Sequence, residues 1–157
     1  MKKFKFSLQR VLGYRKSIEE ALLVELTMIQ EEHERELALL AELTAAREMS
    51  KEQMKERLRS GEPEEIVQAH SYLQELTGLV FCQTRAVQIV AERRAKKNAE
   101  VVEAAKNRKV LERLKEYKAA EHRKEFERED QNFLDGLATC KHARSINNGG
   151  FNESGAH

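Results

Sequence analysis

The chain has 157 residues, of which 35% are charged and only 6% aromatic, and its 28 Lys and Arg almost balance its 27 Asp and Glu. This composition leaves too little large apolar surface for a thick globular core, while the near-neutral charge and the recurring Leu, Val and Ile argue against disorder. Long helices or a coiled coil fit it better. The apolar runs are a few residues long and a membrane span needs about 20, so we expect no segment to cross a bilayer.

The N-terminal segment is both basic and amphipathic. Six cations precede the first acidic residue, and they are Lys2, Lys3, Lys5, Arg10, Arg15 and Lys16. A secretory signal would carry an unbroken apolar stretch here, and polar residues interrupt this one, so we expect a cytoplasmic protein. The pattern is typical of a helix start that meets an acidic protein surface or anionic lipid.

A single interior cluster of Gly and Pro divides the chain, at Ser60–Pro63. Gly61 is expected to end a helix in the left-handed conformation, and Pro63 suits the first turn of the next helix. We therefore predict one helix from about Ser7 to Ser60 and a second from Pro63 to about Arg144. Residues 146–157 have no periodicity and are predicted to form a disordered tail.

The spacing of apolar residues predicts which face of each helix is buried. In the first helix the row has steps of four, four and three, and it contains Ile18, Leu22, Leu26, Ile29, His33, Leu37 and Leu40. In the second helix the row has the heptad steps of a coiled-coil seam, and it contains Ile66, Ala69, Leu73, Leu76, Val80, Gln83, Val87 and Val90. His33 is interpreted as a structural residue of this row. We predict an all-α fold over residues 1–145, in which two long helices form an antiparallel coiled-coil hairpin. In this hairpin, residue i of the first helix lies opposite roughly residue 123 − i of the second.

The predicted second helix is longer than the first. Its part from Glu121 to Arg144 is therefore expected to lack a partner within the chain. Four apolar residues form a strip along this part, namely Phe126, Phe133, Leu134 and Leu137. An exposed apolar strip usually marks a contact with another protein or with a second copy.

The sequence carries no motif of a known catalytic or cofactor site. A phosphate-binding loop, a nucleophile elbow and a paired-histidine zinc helix are all missing, and Cys140 with His142 is only half of a metal site. We expect no enzymatic activity, no cofactor and no metal, and we interpret Cys82 and Cys140 as reduced thiols. The basic cluster Arg93–Lys97 raises nucleic-acid binding as an alternative, but acids interleave with it and aromatic neighbours are missing, so a partner contact is favoured.

The opening residues are more specific than the rest. They follow the pattern F-x-F-x-L-Q-x-V-L from Phe4 to Leu12, and Tyr14, Arg15 and Lys16 come next. This pattern, together with the segment 133–138 and the long charged coiled coil between them, resembles the FliJ family of flagellar type III export proteins. The resemblance covers most of the chain.

The resemblance implies a non-enzymatic central stalk. Proteins similar to FliJ form an antiparallel two-helix coiled coil like part of the rotary-ATPase gamma subunit. They associate with the hexameric export ATPase FliI, contact the cytoplasmic domain of the export-gate protein FlhA, and help to escort export chaperones. The implied location is the cytoplasm, peripheral at the cytoplasmic face of the inner membrane. The alternative function is a general coiled-coil adaptor or export chaperone, including the stalk of a virulence secretion system.

The resemblance also implies two partner-binding sites. The contact with the ATPase ring falls near the paired termini, on Phe4, Phe6, Leu8, Arg10, Val11, Leu12, Phe126, Phe133, Leu134 and Leu137. The contact with the export gate falls on a row with steps of four, three and four, formed by Tyr72, Leu76, Leu79 and Gln83. Leu76 and Gln83 also belong to the predicted coiled-coil row, so burial against the first helix is the alternative for these two.

Overall fold

The computed structural model describes residues 4–149, with side chains described through Ser145, and these residues form two helices and no strand. Helix α1 spans Gln9–Ser60, 52 residues, and helix α2 spans Pro63–Gly149, 87 residues. The predicted all-helical fold, with two helices packed against each other, is confirmed. Within residues 4–149, neither helix has an apolar stretch long enough to span a membrane.

The helix ends differ from the predicted ones by a few residues. Helix α1 begins two residues later than expected, because a turn at Ser7 and Leu8 precedes it and the Gln9 N–H donates to the Phe6 carbonyl at 3.1 Å. Helix α2 continues through Gly149, beyond the predicted end at about Arg144 and into the first residues of the predicted tail. The remainder of the predicted tail, 150–157, lies outside the described residues, as do Lys2 and Lys3 of the basic N-terminal segment.

The junction between the helices depends on Gly61, for a different reason from the predicted one. No described glycine has a positive φ, so the prediction of a left-handed Gly61 is wrong. The Gly61 N–H donates to the Arg57 carbonyl at 2.6 Å, and a Cβ on Gly61 would lie 2.6 Å from that same oxygen. What the position requires is the absence of a side chain next to the backbone of the last turn of α1.

The start of α2 follows from the residues after Gly61. The Ile66 N–H donates to the Glu62 carbonyl at 3.1 Å, so the first hydrogen bond of the helix already involves Glu62. Pro63, at the first helical position, has no N–H that would need a partner there. Glu64 and Glu65 lie in the first turn, where the helix dipole favours negative charge.

Two glycine substitutions are expected to have opposite effects on stability. Gly61→Ala should lower the free energy of unfolding by about 1–3 kcal/mol, because the new Cβ must displace the Arg57 carbonyl. Gly78→Ala, inside α2 with no atom within 4 Å of the new Cβ, should raise it by about 0.5–1 kcal/mol. Urea unfolding followed by far-UV circular dichroism measures both. Two changes of the same sign would contradict this explanation of the junction.

The chain divides into two compact units. The central unit comprises Gly13–Arg108, and the terminal unit comprises the described residues of Met1–Leu12 and Lys109–His157. Each unit therefore contains part of α1 and part of α2.

The core of the central unit is a narrow row on each helix. On α2 every residue of the predicted row is buried or half-buried, and Leu76 and Val90 are the most enclosed. On α1 the row is as predicted except at Leu37, which is exposed, while Glu36 is half-buried in its place. The row takes a step of three after His33 rather than four, and this step brings Glu36 against Gln83 of α2. The prediction for Leu37 is therefore wrong.

Polar pairs connect the two helices along the central unit. As the position on α1 moves toward the N-terminus, the paired position on α2 moves toward the C-terminus. The pairs are Glu36–Gln83, Glu32–Arg93, Glu25–Lys97 and Glu19–Arg108. The acids lie on α1 and three of the four partners on α2 are bases. Ion pairs near the surface contribute only about 0–1 kcal/mol each, so these pairs define the alignment of the helices more than their stability.

Candidate partner-binding surfaces

The predicted gate-binding row lies on α2 at the edge of the contact with α1. Tyr72 is 53% exposed and Leu79 is 52% exposed, whereas Leu76 is only 5% exposed and Gln83 is half-buried. The steps of four, three and four place the four residues along one side of the helix. Two of them are thus available to a partner on the surface and two are occupied within the chain.

Gln83 is held by α1 through its side-chain amide. Its Nε2 donates to the Glu36 backbone carbonyl at 3.1 Å and also to the Glu36 carboxylate. A half-buried amide needs such partners, because an unsatisfied polar group in the interface would cost about 1–3 kcal/mol. Gln83 therefore contributes to helix pairing, and its donor group is already engaged.

A shallow groove between the helices begins beside Tyr72. Its lining consists of Ser50, Gln53 and Arg57 of α1 with Gln68, Ala69 and Tyr72 of α2. Ser50 is the one buried polar side chain in the described part of the chain. The predicted row of α1 ends at Leu40 and does not include Ser50, although Ala46, Ser50 and Met54 continue the buried face at steps of four. The groove therefore places hydrogen-bonding groups of both helices beside Tyr72.

Two of the four cations in the basic cluster of α2 are paired with carboxylates inside the central unit. The Arg93 guanidinium lies 2.9 Å from the Glu32 carboxylate, and the Lys97 ammonium contacts Glu100 at 2.7 Å and Glu25 at 2.8 Å. The hydrogen bond to Glu100, followed by that to Glu25, raises the pKa of Lys97 above its ordinary value. Carboxylates already occupy these two cations, so the cluster offers a phosphate backbone less positive charge than its sequence suggests.

The predicted ring-binding residues of the N-terminus lie in the terminal unit and differ in exposure. Leu12 is 2% exposed and belongs to the core of this unit, and Phe4 and Phe6 are half-buried. The Phe4 ring packs against the His122 ring, with 5.7 Å between their centroids. The members of the set that reach the surface are Leu8, Arg10 and Val11.

The unpartnered part of α2 begins later than predicted. Glu121, His122 and Phe126 are half-buried, so the helix is covered as far as Phe126 and not only to Ala120. The residues from Phe4 to Phe6 are not helical. A non-helical segment can extend about 3.3 Å per residue, whereas a helix rises about 1.5 Å per residue. Residues 4–6 therefore cover more of α2 than a helical N-terminus would.

Beyond Phe126, every described side chain of α2 is exposed, from Glu127 to Ser145. Phe133, Leu134 and Leu137 are the large apolar residues of this stretch, and each is more than half exposed. Cys140 and Cys82 are exposed free thiols. The described residues contain no group of three or more His, Cys, Asp and Glu that could hold a metal ion.

Comparison with known protein families finds a match over most of the chain. The family model described as flagellar FliJ protein matches residues 4–147. No curated protein and no solved structure matches the chain. The matched range begins at Phe4, the first residue of the opening motif, and it includes the central unit, most of the terminal unit and the junction at Gly61. The chain therefore belongs to the family of flagellar FliJ proteins.

Proposed function

We propose that the chain is a component of the flagellar type III protein export apparatus, in which it acts as a central stalk. In this role it binds the hexameric export ATPase FliI and couples it to the export-gate protein FlhA. The observation that carries the proposal is the family match over residues 4–147. The function is that of a structural coupling component rather than an enzyme.

The stalk is an antiparallel hairpin whose C-terminal helix is the longer one. Two observations support this part of the proposal. The four cross-helix pairs of the central unit run in opposite directions along α1 and α2, from Glu36–Gln83 to Glu19–Arg108. In addition, α2 has 87 residues and α1 has 52.

The ATPase ring binds the terminal unit. The contact uses the exposed residues Leu8, Arg10 and Val11 near the N-terminus and the exposed strip of Phe133, Leu134 and Leu137. Leu12 and Phe126 contribute mainly by packing within the unit, since both are enclosed or half-enclosed there. A ring of six subunits presents several different faces to a stalk, and salt-sensitive polar contacts combined with a small apolar strip suit such a partner.

The export gate binds the exposed members of the row on α2, Tyr72 and Leu79. The groove beside Tyr72 supplies polar neighbours from both helices, including Arg57. Leu76 and Gln83 support this surface from inside, because they fix the position of α2 against α1.

The protein works in the cytoplasm, peripherally attached to the inner membrane through the export apparatus. Export chaperones are further partners, and nucleic acid is not one.

The test is the response of the cognate ATPase. Adding the full-length chain to purified FliI should increase hexamer formation, seen by analytical ultracentrifugation, and should raise the rate of ATP hydrolysis. An unrelated antiparallel coiled coil of similar charge is the control. Unchanged assembly and hydrolysis, together with a lack of co-sedimentation, would refute the proposal.

A further inference from the structure

A row of exposed cations follows the outer side of α2 in the terminal unit. Lys109, Arg113 and Lys124 are all exposed, and Tyr117 and Ala120 lie between them at steps of four, four, three and four. Residues at these steps share one face of a helix. The three charges therefore point in similar directions along about four helical turns.

Apolar residues run alongside the cations. Val110 is 65% exposed and Tyr117 is 64% exposed, and Leu114 lies between them. Their steps of four and three are those of a coiled-coil seam, although the seam of α2 toward its own chain is a different row that includes Leu111 and Ala119. The two outer rows together form the basic–apolar stripe, defined as Lys109, Val110, Arg113, Leu114, Tyr117 and Lys124.

The cations of the stripe differ from their neighbour Lys118. Lys118 pairs with Glu121 at 2.7 Å and lies 5.9 Å from the centre of the Tyr117 ring. In contrast, Lys109, Arg113 and Lys124 make no ion pair with any residue that the structure describes. No described carboxylate is paired with these three cations, so each can accept an ion pair from a partner.

We propose that the basic–apolar stripe binds an acidic amphipathic helix of a partner protein. The spacing of Val110, Leu114 and Tyr117 fits the apolar side of a second helix. The cations beside this row would then pair with acidic residues of that helix. From Lys109 to Lys124 the stripe is about 22 Å long at a helix rise of about 1.5 Å per residue, which matches about four turns of such a partner.

The neighbouring acids favour a protein over a lipid surface or a phosphate polymer. Glu116 is exposed and lies three residues from Arg113 and seven from Lys109, so it borders the row of cations. A uniformly anionic surface would be repelled at Glu116, whereas a protein helix can place a neutral or basic residue there. The stripe contains none of the residues assigned to the ring or to the gate, although it lies in the same unit as the proposed ring contact.

Two synthetic helical peptides test the charge and the apolar row together. Both are about three heptads long with the same leucine seam, and Glu flanks the seam in one peptide where Lys flanks it in the other. Fluorescence anisotropy with the full-length chain should show binding of the acidic peptide, weakened by salt, and no binding of the basic one. The affinity for the acidic peptide should fall roughly fivefold in each of three variants, Arg113→Glu, Lys109→Glu and Tyr117→Ala.

The matched control is Lys141→Glu, another exposed cation of the terminal unit outside the stripe, which should leave the affinity unchanged. Circular dichroism of each variant shows whether it is folded. Failure of the acidic peptide to bind, equal binding of both peptides, or three folded variants with unchanged affinity would overturn the inference. Binding only to vesicles of phosphatidylglycerol and phosphatidylcholine, lost in Arg113→Glu, would also overturn it and identify the stripe as a lipid contact.

Discussion

Leu76→Ala is expected to lower the free energy of unfolding by about 2–4 kcal/mol. Leu76 is among the most enclosed residues of the central unit, and removing three buried carbons loses their transfer free energy and leaves a cavity between α1 and α2. The loss should appear as a lower midpoint in urea with an unchanged slope. Gate binding measured well below that midpoint should fall only in proportion to the unfolded fraction.

Leu79→Ala is the matched control, since it makes the same chemical change three residues away at a position that is half exposed. Its unfolding free energy should stay within about 0.5 kcal/mol of the original, while its affinity for the soluble gate domain should drop roughly fivefold or more. If Leu76→Ala were as stable as Leu79→Ala, burial of Leu76 would be refuted. If Leu79→Ala bound the gate domain normally, the proposed gate surface would be refuted.

Replacing both Phe133 and Leu137 with serine is expected to reduce affinity for the export ATPase by at least about tenfold. Both side chains are exposed in the unpartnered part of α2, and apolar anchors of this kind often contribute more than about 1 kcal/mol each to an interface. The unfolding free energy should change little, because both side chains are more than half exposed. Sedimentation with FliI measures the affinity, and urea unfolding measures the stability.

Phe81→Ser provides the control for this double variant. Phe81 is the most exposed large apolar side chain of the central unit and lies outside the proposed ring contact. It should bind the ATPase as the original chain does. Equal affinity of the double variant and the original chain would refute a ring contact at the strip, and equal weakening by Phe81→Ser would show a non-specific effect of lower hydrophobicity.

The helices and most of their buried rows could be predicted because two simple signals agree. Gly61 and Pro63 interrupt an otherwise helix-compatible chain, and the heptad steps from Ile66 to Val90 leave one face of α2 for α1. Leu37 shows where periodicity fails. Extending the row from His33 by four selects Leu37, and only the position of Gln83 on the other helix makes Glu36 the better-placed residue.

The junction and the end of the covered region needed distances that a sequence does not contain. A glycine after a helix fits a left-handed cap and a close backbone approach equally well, and the contact between Gly61 and Arg57 decides for the second. The contact between the Phe4 and His122 rings likewise depends on the non-helical conformation of residues 4–6, which the residue pattern does not indicate.

The candidate gate surface shows the same limit. Steps of four, three and four are compatible with a row that faces a partner and with a row that faces the other helix. Tyr72, Leu76, Leu79 and Gln83 lie at the boundary between these two environments, so each residue's exposure depends on how α1 and α2 are rotated toward each other. The residue pattern alone could locate the row but could not show which of its members are exposed and which are buried against α1.

The most direct test of the coupling function is a pull-down in which the soluble domain of FlhA is immobilised and FliI from the same genome is added with and without the full-length chain. We predict that FliI is retained strongly only when the chain is present, and that retention decreases when the salt concentration is raised. Retention of FliI that is the same with and without the chain would contradict the account. Failure of the chain to bind either protein would contradict it as well, and would favour a general coiled-coil adaptor.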